Sequence, residues 1–138
     1  MKHPVSIKVF VEPMFGENSL LVCAPDDGGT VGWIIDPSFS PHVNRLIEYA
    51  REHDVKVEKI ILTHGHGDHI AGIDTAQAAF PEAALLIAAE DEPMLRNPDL
   101  NLSAPFGVEV TVTSRVSEHL APGMELTLGE TLWQVLDT

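Results

Sequence analysis

The residues with the clearest chemical potential lie at 63–69, where THGHGDH holds three histidines and one aspartate. In an extended chain, residues two apart point to the same side, so His64 and His66 can reach one metal ion from a single face. Asp68 and His69 follow at the start of a predicted helix, where adjacent side chains diverge towards a second position. Imidazole and carboxylate ligands suit zinc, iron or manganese. The spacing therefore predicts a metal site.

Two glycines separate these ligand-type residues. Gly65 and Gly67 are expected to relieve steric limits in the turn and to leave open space over the ions. The motif contains no cysteine, which argues against a closed structural zinc site. The alternative is a histidine-rich surface loop, but the ordered spacing with an aspartate favours metal binding.

The elements that must position this motif are mostly strands. Apolar runs predict strands at 5–11, 18–24 and 30–36, and the PDDGG connection between the last two has the residues of a hairpin turn. KIILT (59–63) is a short β-branched run that predicts a buried strand leading directly into the histidines. Ligands of open α/β sheets collect beyond the carboxyl ends of strands, so this location suits a functional site.

Two helices are predicted. Ser40 and Pro41 are expected to be the N-cap and the first helical residue of the first helix. Pro81 is expected to end the second. Apolar residues recur at helical spacing in both, namely Val43, Leu46, Ile47 and Ala50 in the first helix and Ile70, Ile73, Ala76 and Phe80 in the second.

The remaining segments are predicted from their composition and alternation. Residues 84–88 are expected to form a buried strand, and residues 96–107 a long loop. GVEVTVT (107–113) alternates as a strand does, and residues 124–138 are expected to form a hairpin that turns at Gly129. The sequence thus predicts one strand-rich domain with two main helices, of α/β or α+β class, over residues 1–138.

Composition limits the classes of partner. The chain has 138 residues with 8 basic and 21 acidic side chains, a net charge of −13, which disfavours nucleic acid. No apolar run approaches the ~18 residues of a membrane span, and no signal peptide is recognised, so a cytoplasmic protein is expected. Cys23 is the single cysteine and lies in an apolar run, which predicts a buried, unreactive thiol.

The sequence resembles a known family. THGHGDHIAG resembles the His-x-His-x-Asp-His metal motif of metallo-β-lactamase-fold hydrolases, and WIIDP (33–37) matches the strand-ending aspartate that precedes it there. LNLSAPFG is similar to a run of the small glyoxalase II-like branch. The resemblance implies an αββα sandwich, of which this chain would be the N-terminal half.

The resemblance also implies roles for individual residues. His64 and His66 would bind the first of two zinc ions, and Asp68 and His69 the second, with iron or manganese as alternatives. Asp68 would also orient the attacking water. Asp36 would steady the metal loop, although an aspartate there is also typical of an Asp-Pro-Ser turn. Thr63 is either a partner of the metal ligands or simply the last strand residue.

The activity implied is a hydrolase that uses a metal-activated hydroxide on a small-molecule thioester of the acylglutathione type. One alternative is an iron-dependent persulfide dioxygenase, and another is a non-catalytic metal-binding fragment. In the family, later motifs supply two further histidines and a bridging aspartate, and none of these follows before Thr138. The chain is therefore expected to be truncated, to be inactive alone, and to self-associate through an exposed strand edge.

The other four histidines are predicted to be solvated residues outside the site, namely His3, His42, His53 and His119.

Overall fold

A computed structural model describes residues 5–137 of the chain. It contains eight strands and three α-helices, together with 3-10 turns at Glu92–Arg96 and Ala104–Phe106. In chain order the elements are β1 (Ser6–Glu12), β2 (Glu17–Asp26), β3 (Gly29–Ile35), α1 (His42–Glu52), β4 (Val55–Ile61), α2 (Gly67–Ile70), α3 (Ile73–Ala79), β5 (Ala84–Ala88), β6 (Glu118–Leu120), β7 (Glu125–Leu128) and β8 (Thr131–Gln134).

The first six strands form one mixed sheet in the order β1-β2-β3-β4-β5-β6. β1, β2 and β3 are antiparallel neighbours, whereas β3, β4, β5 and β6 run parallel. β7 and β8 pair with each other as an antiparallel hairpin. The carboxyl ends of β3, β4 and β5 therefore meet at one edge of the sheet, which is where the histidine motif follows β4.

Alternating side chains of the sheet supply two hydrophobic cores. Leu21 and Ile34 pack with the apolar faces of α1 and α3 on one side of the sheet. Val22 and Trp33 pack with Leu126 and Leu128 of the β7–β8 hairpin on the other side. The period of two in strands places neighbouring residues on opposite faces, so both faces of the central strands are buried and both must be apolar there.

The second predicted helix is interrupted. α2 and α3 are separated by Ala71 and Gly72, and Ile70, Ile73 and Ala76 are all fully buried as the pattern predicted. A Cβ on Gly72 would lie 2.3 Å from the Ser38 carbonyl oxygen, and the Gly72 N–H donates to the Pro37 carbonyl at 3.0 Å. Close packing against this turn explains the break.

The start of α1 also differs from the prediction. Pro41 occupies the N-cap position rather than the first helical position, and no side chain caps the helix. The helix is nevertheless positioned as expected, because Val43, Leu46, Ile47 and Ala50 are all buried. Packing of this apolar face, rather than capping, accounts for its stability.

The predicted strand at 107–113 is wrong. Val110 and Val112 are buried, so the alternation is real, but their N–H groups donate to Ser103 Oγ and to the Leu95 carbonyl. The carboxylate of Asp74 likewise accepts hydrogen bonds from the Thr113 and Ser114 backbone. Because loop and side-chain acceptors take these donors, the segment joins no sheet. The strand in this region is instead β6, at the edge of the sheet beside β5.

The predictions for β1–β3, β5 and the C-terminal hairpin are confirmed, with small shifts of their ends. β4 begins earlier and ends earlier than predicted, at Val55–Ile61. Cys23 is buried, and burial raises the pKa of its thiol. Among residues 5–137, no helix combines the length and the apolar character that crossing a membrane would require.

Candidate metal centre

The candidate centre lies where four strands of the large sheet bring polar residues to one edge. Asp36 follows β3 and Thr63 follows β4, while Asp91 follows β5. Glu17 begins β2, which runs antiparallel to β3 and therefore reaches the same edge. The Asp36 N–H donates to the Ile61 carbonyl at 3.0 Å, which joins the first two of these segments directly.

Asp36 holds the start of the histidine motif. Its Oδ1 accepts the Thr63 backbone N–H at 2.8 Å, and its Oδ2 accepts the Thr63 hydroxyl at 2.6 Å. Because the single hydroxyl hydrogen is used on Asp36, the Thr63 oxygen accepts the hydrogen of His64 Nδ1, 2.9 Å away. This chain of hydrogen bonds leaves His64 Nε2 with a free lone pair, as a metal ligand requires.

Asp36 also orients His69. Its Oδ2 lies 2.9 Å from His69 Nδ1, which must carry the hydrogen because a carboxylate only accepts. The Nε2 atom of His69 then presents a lone pair, and it lies 3.7 Å from Asp68 Oδ2. One buried aspartate thus selects the same tautomer in two histidines, which is the usual function of a carboxylate behind a metal ligand.

The three imidazoles of the motif are adjacent. The ring centroid of His64 lies 4.6 Å from that of His66 and 4.1 Å from that of His69. The ligand-type atoms of Asp36, His64 and His69 all lie within 4.8 Å of one another. This group differs from the ligand set predicted from the sequence, in which Asp36 was a supporting residue. Since both Asp36 oxygens already accept hydrogen bonds, its position agrees with the supporting role.

Glu17 is a site residue that sequence reasoning missed. It is 3% exposed, and Oε1, which lies 3.4 Å from His69 Nδ1, has no hydrogen-bond partner. Burial raises the pKa of Glu17 to about 7, against the opposing effect of His69. The signal in the sequence is the polar pair Glu17 and Ser19, which occupies the start of a strand whose later residues on that face are Leu21 and Cys23.

The histidines respond to this environment in opposite ways. Burial, with the positive charge of His69, lowers the pKa of His64. Burial alone would also lower the pKa of His69, but the hydrogen bond and charge of Asp36, with Asp68 and Glu17, raise it above its ordinary value. The carboxylates around His69 therefore favour positive charge at this point.

The glycines of the motif have a different function from the one predicted. A Cβ on Gly65 would lie 2.8 Å from the Cβ of Met94, and one on Gly67 would lie 2.8 Å from the Cβ of Ser103. Both glycines are buried. They allow neighbouring loops to pack against the motif, rather than leaving open space above it.

Those loops hold the motif through hydrogen bonds. Asp91 Oδ2 accepts the Gly65 N–H at 3.1 Å, and the Asn101 carbonyl accepts the Gly67 N–H at 2.7 Å. The Asn101 amide is itself buried and donates to the carbonyls of Met94 and Val110. The LNLSAPFG run (100–107) therefore packs against the histidine motif and fixes its position. Its composition predicted only a loop.

The remaining histidines lie apart from this cluster. His53 is exposed and stacks on Tyr49, and His42 lies half-buried at the start of α1. His119 is exposed and hydrogen-bonds to Glu92. His3 lies outside the described residues.

The donor set fits a divalent cation. Three imidazoles lie beside the carboxylates of Asp36, Asp68 and Glu17, and one buried carboxylate oxygen lacks a hydrogen-bond partner. An unpaired buried acceptor is costly unless a positive charge compensates for it. Nitrogen and oxygen ligands without sulfur suit zinc, iron or manganese.

Comparison with known proteins identifies the family. The model of the metallo-beta-lactamase superfamily matches residues 13–134, and the chain belongs to that superfamily. In the structure of the B3 metallo-beta-lactamase BLEG-1, the match covers 95% of this chain and 59% of that one, with a TM-score of 0.76 and 21% identity. This likeness confirms the metallo-β-lactamase fold, of mixed α/β class, that the sequence predicted.

The curated relatives include proteins of the predicted branch. The hydroxyacylglutathione hydrolase of Stenotrophomonas maltophilia (strain R551-3) is 32% identical over 77 residues, which cover 56% of this chain and 28% of that protein. The uncharacterized protein YobT of Bacillus subtilis (strain 168) is 27% identical over 106 residues, covering 75% of this chain and 44% of that protein. The chain thus spans less than half the length of these relatives, and the resemblance to the glyoxalase II-like branch is confirmed.

Proposed function

We propose that this chain contributes the metal-binding half of a hydrolase site that acts on small-molecule thioesters of the acylglutathione type. The observation that carries the proposal is the pair of hydrogen-bond chains from Asp36, which leave Nε2 of both His64 and His69 available as a ligand atom in two rings whose centroids lie 4.1 Å apart. The similarity to hydroxyacylglutathione hydrolases supports the substrate class.

The proposed ligands are His64, His66, Asp68 and His69, and Asp36 and Thr63 are the residues that orient them. A divalent metal bound there, zinc in our proposal, supplies Lewis acidity that lowers the pKa of a bound water to about 7. The role proposed for Asp68 is to accept a hydrogen bond from the attacking water. Its side chain is 25% exposed and lies next to His69 Nε2, so solvent reaches it.

Metal binding and catalysis are tested separately. Isothermal titration of the metal-free chain with zinc measures binding, and His64→Ala is expected to weaken it at least tenfold. His53→Ala is the matched control, because His53 is exposed and lies just after the end of α1. Equal zinc affinity for the two variants would contradict the ligand assignment.

The reaction class is tested on the zinc-loaded whole protein with an acylglutathione, by following release of the free thiol. The competing function is oxidation of a persulfide by an iron-loaded protein, since histidine and carboxylate ligands also suit iron. Oxygen consumption with glutathione persulfide separates the two. Oxygen uptake without thioester hydrolysis would replace the hydrolase proposal with the dioxygenase.

A further inference from the structure

A small cavity of about 190 Å³ lies directly beside the candidate metal centre. His66 and Asp68 form one wall of it, and Phe15, Phe39 and Phe106 are among the residues that form the rest. Pockets that enclose a whole drug-sized ligand are about 300–1,000 Å³. This cavity therefore has the size for one group of a substrate, next to the point where chemistry would occur.

The three phenylalanines come from distant parts of the chain. Phe15 lies in the turn between β1 and β2, Phe39 precedes α1, and Phe106 ends the second 3-10 turn. The Phe15 ring is stacked on Phe39 at 5.8 Å and meets Phe106 edge-on at 5.6 Å. Phe106 remains 66% exposed although it is large and apolar. Exposed aromatic rings grouped at a cleft are typical of a binding surface.

The polar side chains of the cavity wall are mostly satisfied internally. The Asn101 amide donates to two backbone carbonyls and accepts the Ser103 N–H, and Ser103 Oγ accepts the Val110 N–H. No lysine or arginine lines the cavity within residues 5–137. A carboxylate or phosphate of a ligand would find no cationic side chain there, whereas an alkyl or aryl group would be removed from water.

We propose that this cavity binds the acyl group of the substrate and that it selects an apolar acyl group over a small hydroxylated one. The proposal rests on the hydrolase function proposed above, and it adds the substrate class. His66 and Asp68 connect the cavity to the metal centre, so the acyl carbon chain would extend away from the ligands and lie against the rings of Phe15 and Phe106. Each buried methylene should strengthen binding roughly fourfold.

Neutral amides test the cavity without hydrolysis and without metal. Butanamide, hexanamide and lactamide are titrated into the 138-residue chain, and NMR shifts of the Gly67 and Phe106 amides report binding. Hexanamide is expected to bind at least fivefold more tightly than butanamide, and lactamide least tightly. Phe106→Ala should weaken hexanamide at least threefold, and Phe15→Ala gives a second, independent variant. Leu132→Ala is the matched control, because Leu132 is 65% exposed on β8 and does not line the cavity.

Equal affinities for hexanamide and lactamide, or an unchanged affinity after Phe106→Ala, would overturn the proposal. A parallel assay compares hexanoyl and lactoyl thioesters of glutathione with the zinc-loaded whole protein. If hexanamide binds as expected but neither thioester is hydrolysed, the acyl cavity stands and the hydrolase function is wrong. If both thioesters are hydrolysed equally and hexanamide does not bind, the hydrolase stands and the cavity assignment is wrong.

Discussion

Asp36 Oδ2 lies 2.9 Å from Nδ1 of His69, although 33 positions separate the two residues. The same carboxylate binds the Thr63 hydroxyl, which in turn contacts His64. A strand-ending aspartate therefore sets the tautomer of two proposed ligands from opposite ends of one motif. Both histidines depend on this one buried group, which makes it the most informative position to change.

Asp36→Asn is expected to reduce zinc affinity about 10–100-fold, because an amide cannot accept hydrogen bonds with both of its polar atoms. Asparagine suits the site sterically, since Asp36 has a φ of 55° and asparagine tolerates the left-handed region. Asp27→Asn is the matched control, because Asp27 has a φ of 41° in an exposed turn. Calorimetric titration of both variants measures the effect. Similar affinities for the two would show that Asp36 only shapes its turn.

In the whole protein, Asp68→Asn is expected to reduce metal-dependent hydrolysis by at least a hundredfold, while it shifts the free energy of unfolding by less than about 0.5 kcal/mol. The substitution keeps the shape of a partly exposed side chain but removes the charge beside His69. Turnover and urea unfolding are measured on the same preparations, with Asp99→Asn as the exposed control. Unchanged turnover with full metal content would remove Asp68 from the mechanism.

The raised pKa of Glu17 predicts that the stability of the metal-free protein depends on pH. Its pKa in the folded state is about 7, against 4.5 for the ordinary carboxyl group, so the folded state binds the proton more tightly. This contribution to stability is full below pH 4.5 and is lost as the pH rises to 7. The raised pKa of His69 acts in the same direction, since its contribution is also lost as the pH rises through the folded pKa.

Between pH 5 and pH 8 the free energy of unfolding of the unsubstituted metal-free protein should therefore fall by roughly 2 kcal/mol through Glu17. The Glu17→Gln variant cannot ionise at this position and should not show that fall. Urea unfolding at the two pH values measures this difference. Asp36 and His69 face Glu17 and remain in both proteins. Glu130→Gln, at an exposed position, should show no such difference. If Glu17→Gln and Glu130→Gln changed the pH dependence of unfolding equally, burial of the ionised Glu17 carboxylate would carry no free-energy penalty.

The 138-residue chain is expected to bind at most one zinc ion, and to bind it weakly. A tight zinc site takes three or four protein ligands, whereas the four candidate ligands of this chain lie in one short segment and are divided between two metal positions. Two divalent ions held closely by these side chains would repel each other strongly. Calorimetry and elemental analysis after dialysis measure the stoichiometry. Two tight equivalents would indicate that further ligands, such as Glu17 or Asp91, take part.

Much of the fold was predictable because local pattern and tertiary environment agree. Both faces of the central strands are buried, so their apolar runs were recognisable, and the 3.6-residue spacing of Val43, Leu46, Ile47 and Ala50 matched the buried face of α1. The alternation at 107–113 misled, because Val110 and Val112 are buried while their N–H groups donate to a serine hydroxyl and a loop carbonyl. Alternation of apolar residues therefore indicates which side chains are buried. Whether the segment forms a strand depends on whether its backbone N–H and C=O groups can pair with a neighbouring strand.

The sequence by itself determined the ligand types and their spacing, since three histidines and an aspartate within seven residues define a metal motif wherever the chain folds. Only the tertiary structure decided which residues complete the site. Glu17, Asp91 and Asn101 are distant in sequence, and no local rule connects them to the motif. The topology brings them together, because the carboxyl ends of parallel strands meet at one edge of the sheet. A buried polar group at that edge must form hydrogen bonds with the residues that the neighbouring strands and loops place there.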